Sequence, residues 1–262
     1  MRIWTIRAFP DAETQERWVQ ELWGLECGIQ KYQLTDAVRI MIKRYGWHGR
    51  GVVIAVIKLL IDTAYGFHAS EKQTVIDRNL TKVKRLTADA AFIYKDPKEK
   101  TGFAQNDIIM TSIVNIWFKN NKTRGSKNPD FFNLLRLPTL ALLFTAIEWG
   151  IERWATGRFM DGGEFNETKN SDIYDGHLSR LQDWDALKPS ATALVRKRMF
   201  ETAMWVIAIA YSFTIIPSQR SGVVLPKPKT GMSDADRARA LAELEALETG
   251  GEDGADDSES EE

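Results

Sequence analysis

The chain has 262 residues and a net charge of −1, from 35 Lys and Arg against 36 Asp and Glu. That near-neutrality hides a split: Ser233–Glu262 holds 12 acids and 2 bases, so residues 1–232 hold 33 bases against 24 acids, a net +9. A basic body joined to an acidic end is the charge pattern of a polyanion binder. The lone Cys27 excludes an intrachain disulfide and a multi-cysteine metal site, and Met1–Pro10 lacks the apolar run expected of a secretory signal.

Residues 1–12 read as an arm. Ile3, Trp4, Ile6 and Phe9 give it so much apolar surface that it must dock, either on its own body or on a neighbouring copy. The expectation is an oligomerisation arm built on those four residues. Residues 13–125 read as an N-terminal helical lobe. Thr35 caps a helix in which Val38, Met41, Ile42 and Tyr45 recur at i, i+3, i+4 and i+7, and Gly46 is the expected stop. Gly46–Gly51 then reads as a helix–helix turn, matching neither the dinucleotide fingerprint nor the P-loop. Gly51–Gly66 reads as a central buried helix, interrupted by Lys58 and Asp62. Lys95–Gly102 is a charged loop, and Asn106 precedes another apolar helical segment, Asp107–Phe118.

Lys119–Asn128 has four bases and no acid and is the expected boundary between lobes. Residues 126–222 then form a C-terminal helical lobe, with Pro138 an internal boundary or kink. Leu137–Ile147 and Ala203–Ile216 are uncharged but only 11 and 14 residues long. A membrane span needs roughly 20 such residues, so both are expected to be core helices and no transmembrane segment is expected. Asp161–Gly176 reads as an acidic polar loop, and Ser190 as the cap of a long helix stopped by Pro217. Residues 223–262 supply a Pro-containing linker, a short helix opened by Ser233 with Leu241, Leu244 and Leu247 on one side, and an acidic tail, Gly250–Glu262, whose composition predicts disorder. Strand signals are weak throughout, and the expected class is all-α, two-lobed.

No Ser/His/Asp or Cys/His pattern stands out, and His48, His68 and His177 are scattered. The acidic loop lacks the EF-hand order. No catalytic residue, metal or cofactor is therefore expected, and the protein is not expected to be an enzyme. The expected phosphate contacts are Arg44, Arg50, Lys58, Lys72, Arg78, Lys82, Lys84, Arg85, Lys119, Lys122, Arg124, Lys127, Arg196, Lys197 and Arg198. Tyr32, Trp47, Phe67 and Trp149 are candidates to stack on unpaired bases.

Four stretches resemble the nucleocapsid proteins of phleboviruses and tenuiviruses. They are Glu16-Arg-Trp-Val-Gln-Glu-Leu22, Val38–Gly46, the Leu-x-Leu-Pro segment with its following helix at Leu135–Phe144, and Ser212–Pro217 followed by Arg220 and Gly222. The resemblance covers about residues 13–222. It implies a two-lobed helical protein with a basic cleft for single-stranded RNA and an N-terminal arm that links subunits into rings or filaments. It further implies a virion protein of the host-cell cytoplasm with the viral polymerase as a partner. It places Lys72, Arg78, Lys82 and Lys84 near the family's RNA-contacting run. The alternative from composition is a matrix-like structural protein acting at a membrane surface or in protein–protein assembly, with Ala203–Ile216 beside Arg196–Arg198 as its contact.

Overall fold

The structure is a computed structural model and describes residues 2–27, 32–161, 164–212 and 232–249. Ten α-helices follow in chain order among the described residues: α1 (Arg2–Thr5), α2 (Ala12–Cys27), α3 (Asp36–Tyr65), α4 (Gln73–Leu86), α5 (Asp107–Trp117), α6 (Arg124–Lys127), α7 (Leu137–Glu152), α8 (Glu167–Leu187), α9 (Pro189–Ser212) and α10 (Asp234–Thr249). Two short 3-10 turns, Ala88–Ile93 and Pro129–Phe131, join them, and no strand occurs among the described residues. The class is all-α.

Helix α7 forms the centre because its sequence offers no polar face. Pro138 stands in its first turn, where a missing N–H costs nothing, so it starts the helix and does not kink it. Every residue from Thr139 to Ile151 is buried. The Thr145 hydroxyl donates to the Ala141 carbonyl at 2.8 Å, which satisfies it inside the helix. Gly150 lets α3 come close, since a Cβ there would stand 2.6 Å from Ile61 Cγ1. Val53, Ile57, Ile61 and Tyr65 of α3 fall on the side that packs into the core. One continuous cluster runs from Trp4 to Leu244. It crosses residues 125–126, where a division into lobes is expected, because α3 packs on α7 and α5 on both α7 and α9.

Helix α3 differs from its sequence expectation. It does not stop at Gly46 but runs unbroken for 30 residues, about 45 Å. Each interior glycine costs about 1 kcal/mol against alanine. Packing offsets that cost: Gly49 lies under the Trp4 ring, where a Cβ would be 3.2 Å away, and the second half of the helix is anchored in the core. The Thr35 cap is present, with the Val38 N–H donating to its hydroxyl. The helix ends at Gly66, which takes the left-handed conformation at φ 64° and returns its N–H to the Asp62 carbonyl.

The N-terminal residues fold back onto the same chain. The Trp4 indole packs edge-on against Trp117 and donates to the Gly49 carbonyl at 3.3 Å, while the Thr139 hydroxyl donates to the Trp4 carbonyl. Phe9 packs on Phe165 and Tyr174. The Ala8 N–H donates to the Tyr174 hydroxyl, whose pKa burial pushes up to about 12. Trp4 and Phe9, expected to dock on a neighbouring copy, are thus core residues of their own chain. Ile3 is half-buried and Ile6 exposed. An apolar segment this short gains most by the nearest available burial.

The acidic loop is shorter than expected. Helix α8 begins at Glu167, inside it, with Asn166 accepting the Lys169 N–H as cap. Pro217 and the acidic tail lie outside the described residues.

Candidate nucleic-acid interface

The first half of α3 packs against α2 and, at Gly46, against Ile3 of α1, buries none of its own residues before Gly49, and leaves a trough beside it. Three adjoining hollows compose it. The first is lined by Trp4, His48, Val52, Lys122 and Arg124. The second shares Trp4 and Arg124 with it and adds Arg2, Trp18, Lys43, Tyr45 and Trp47. The third, of 770 Å³, shares Trp47 and Arg50 with the second and adds Lys58 and Trp149. Asp161, Glu164 and Glu167 also line it.

The cations in the trough are of two kinds. Arg2 pairs with Glu21, and Lys43 with Glu16 at 3.1 Å. Arg50 is only 9 % exposed. Its guanidinium donates to the Ala8 carbonyl at 2.7 Å, stands 3.5 Å from Glu167 and lies over the Phe9 ring. Burial pulls its pKa below the ordinary arginine value, and Glu167 opposes that. Arg50 therefore holds the N-terminal segment in place. Lys58, Lys122 and Arg124 are exposed, and none pairs with a carboxylate among the described residues. Two of them rest on rings: Lys58 lies 5.5 Å from the Trp149 centroid and Arg124 5.3 Å from that of Trp4.

The four expected stacking residues divide evenly. Trp47 is 57 % exposed on the wall between two hollows, and Tyr32 is 59 % exposed, its carbonyl accepting from Trp23. Phe67, 3 % exposed, stacks on Trp154 at 5.1 Å and 7°, and Trp149, 7 % exposed, packs on Phe165. These two already meet rings of their own chain.

The remaining cations lie elsewhere. Arg44 is exposed on α3. Lys72, Arg78, Lys84 and Arg85 are exposed on or just before α4 and line none of these hollows. Lys82 is half-buried, donating to the Gly66 carbonyl with its ammonium over Phe67. Lys119, ahead of α6, and Lys127, its last residue, are exposed. Arg196 is engaged by Asp185 at 2.9 Å and Lys197 by Glu201, while Arg198 is exposed. Of the expected cations, Arg50 and Lys58 of α3 and Lys122 and Arg124 of the Lys119–Asn128 segment line the trough. Sequence reasoning missed Lys43 and Arg2. Lys43 follows Arg39 by one turn, a spacing that could have flagged it, whereas Arg2 arrives only through the folded arm.

No helix among the described residues is long and apolar enough to cross a membrane. Nor does any group of three or more His, Cys, Asp or Glu among them have a metal-holding arrangement.

A family model described as a domain of unknown function, DUF6532, matches residues 2–184, from α1 to near the end of α8 and including the whole trough. No curated protein and no solved structure matches the chain.

Proposed function

We propose that this chain, which belongs to the DUF6532 family, binds single-stranded RNA without reading its base sequence, in the trough along α3. The observation that carries the reading is Trp47: a large indole left exposed between two hollows, with Lys58 lining one, Arg124 the other, and Lys122 in the adjoining hollow that Arg124 also lines. Lys and Arg neutralise phosphates and release counterions, whatever the sequence. An exposed indole offers an unpaired base a stacking face worth about 1–3 kcal/mol, and a base inside a duplex has no free face to give it. The net +9 of residues 1–232 adds long-range attraction.

The finer form of this reading is a nucleocapsid protein. In it, a two-lobed homo-oligomer coats the genome of a segmented negative-strand RNA virus and works with the viral polymerase in the virion and host-cell cytoplasm. It is supported by the four stretches that resemble phlebovirus and tenuivirus nucleocapsids; the family match adds no function to it.

Fluorescence anisotropy of labelled oligouridylate across a salt series tests RNA binding. Affinity should fall steadily with salt, by a slope of about 0.7 per phosphate contact. A response independent of salt, or a preference for duplex, overturns the reading.

A further inference from the structure

Helix α10 lies beyond the matched family residues and sits on α8, α9 and the Lys95–Gly102 loop. One of its faces is buried: Met232 just before it, then Asp236, Ala240 and Leu244 at four-residue spacing. Both Glu243 carboxylate oxygens accept the Gly102 N–H, at 2.9 and 3.0 Å. Asp236 stands 3.6 Å from Lys100, whose ammonium also meets Asp89 at 3.0 Å. Arg237 pairs with Asp183 at 3.3 Å. The seat is unusual in its backbone. All four non-glycine residues with positive φ among the described residues, Asp89, Ala90, Lys100 and Ala104, lie in this one segment. Such conformations cost energy and persist where surrounding contacts hold them.

The two ends of the chain differ in tether length. Six residues, 6–11, separate α1 from α2 and span at most about 20 Å, so α1 stays near its own body. Between Ser212 and Met232 lie 19 residues, which fully extended reach about 65 Å. A chain of this length folds to a body roughly 45–50 Å across. The connector is therefore long enough to carry α10 to the seat on another molecule.

We propose that the seat of α10 is an exchange site, at which the C-terminal helix of a second copy of this chain replaces the molecule's own. Every contact of the seat re-forms unchanged in the exchanged pair, because the residues on both sides are the same. Copies associate by trading α10, and the N-terminal segment remains structural. This inference is independent of the RNA reading.

Paired charge reversals test it. In Lys100→Glu, the seat repels the molecule's own Asp236. In Asp236→Lys, the helix repels its own Lys100. Mixed, the two variants regain attraction only in trans. The acid introduced in the first seat then faces the base introduced on the second helix, and the second copy's native Lys100 faces the first copy's native Asp236. Light scattering should give the 29.8 kDa single-chain mass for each variant alone and twice that mass for the equimolar mixture. A mixture that stays at the single-chain mass, with both variants folded by circular dichroism, overturns the proposal. If either variant fails to fold, a milder pair replaces it: Thr101→Cys in one copy and Glu243→Cys in the other, both with Cys27→Ser. A short bismaleimide should then yield a two-chain band only from the mixture, and absence of that band overturns exchange.

Discussion

His177 Nε2 lies 2.6 Å from Glu148 Oε2, both side chains buried, so that α8 is tied to α7 through a polar pair in the core. Phe92 and Phe144 meet the imidazole edge-on from two sides, at 5.8 Å each. Removing one member of such a pair strands the other without a partner. His177→Leu should cost about 3–5 kcal/mol in urea unfolding. The double change Glu148→Leu with His177→Leu should recover much of that loss, since an apolar pair of similar volume substitutes well for a buried polar one.

Trp154 donates its indole N–H to Asp62 at 2.9 Å. Burial raises the Asp62 carboxyl above its ordinary value, against the hydrogen bond from Trp154 and the nearby Arg153 and His68 charges. The folded state therefore favours the protonated acid. Its contribution is fully present below the unfolded pKa and is lost as pH rises through the folded one. Asp62→Asn keeps an acceptor for Trp154 and removes the charge. It should melt higher than the native chain at pH 7, and the gap should close as pH falls toward about 4, the unfolded carboxylate value. A thermal melt at each pH measures it.

Burial of the first residues predicts a stability loss from their removal. Trp4→Ala should cost about 3–5 kcal/mol by chemical denaturation, because it empties a site between Trp117 and Phe132. Ile6 is exposed, and Ile6→Ala should change stability by less than about 0.5 kcal/mol.

Gly157 has φ 76°, and a Cβ there would stand 2.4 Å from the Ile76 carbonyl oxygen. Its own carbonyl accepts from the buried Asn79 amide at 2.9 Å, which also donates to His68. Gly157→Ala should therefore destabilise by more than the roughly 1 kcal/mol of a simple conformational penalty, as α4 is forced off the α7 end. The unfolding midpoint reads this directly.

In the trough, stacking and charge separate by their salt dependence. Trp47→Ala should weaken oligouridylate binding by about 1–3 kcal/mol and leave the salt slope unchanged. Lys122→Gln should lower that slope by about 0.7, one phosphate contact on a single strand. Both positions are exposed, so the unfolding midpoint should not move.

Much of this chain was legible in local pattern. The helical class, the Thr35 cap, Asn106 ahead of the apolar Asp107 helix, Ser233 ahead of the last helix and the apolar α7 all follow from spacings within a turn or two. Lys58, Lys122 and Arg124 were nameable from sequence as cations in a basic context, and Trp47 as one of four stacking candidates. What sequence could not tell was which partner each residue meets. Gly46 carries a stop signal, yet the helix continues because Gly49 is held under Trp4, 45 positions away. Phe67 and Trp149 have the same chemistry as Trp47 but face the interior. Arg50 looks like a phosphate ligand and instead binds the Ala8 carbonyl. Helix formation is decided by neighbours along the chain, a few tenths to one kcal/mol at a time. Exposure and pairing are decided by contacts between distant segments, and only the packed core fixes which of several similar side chains is left facing water.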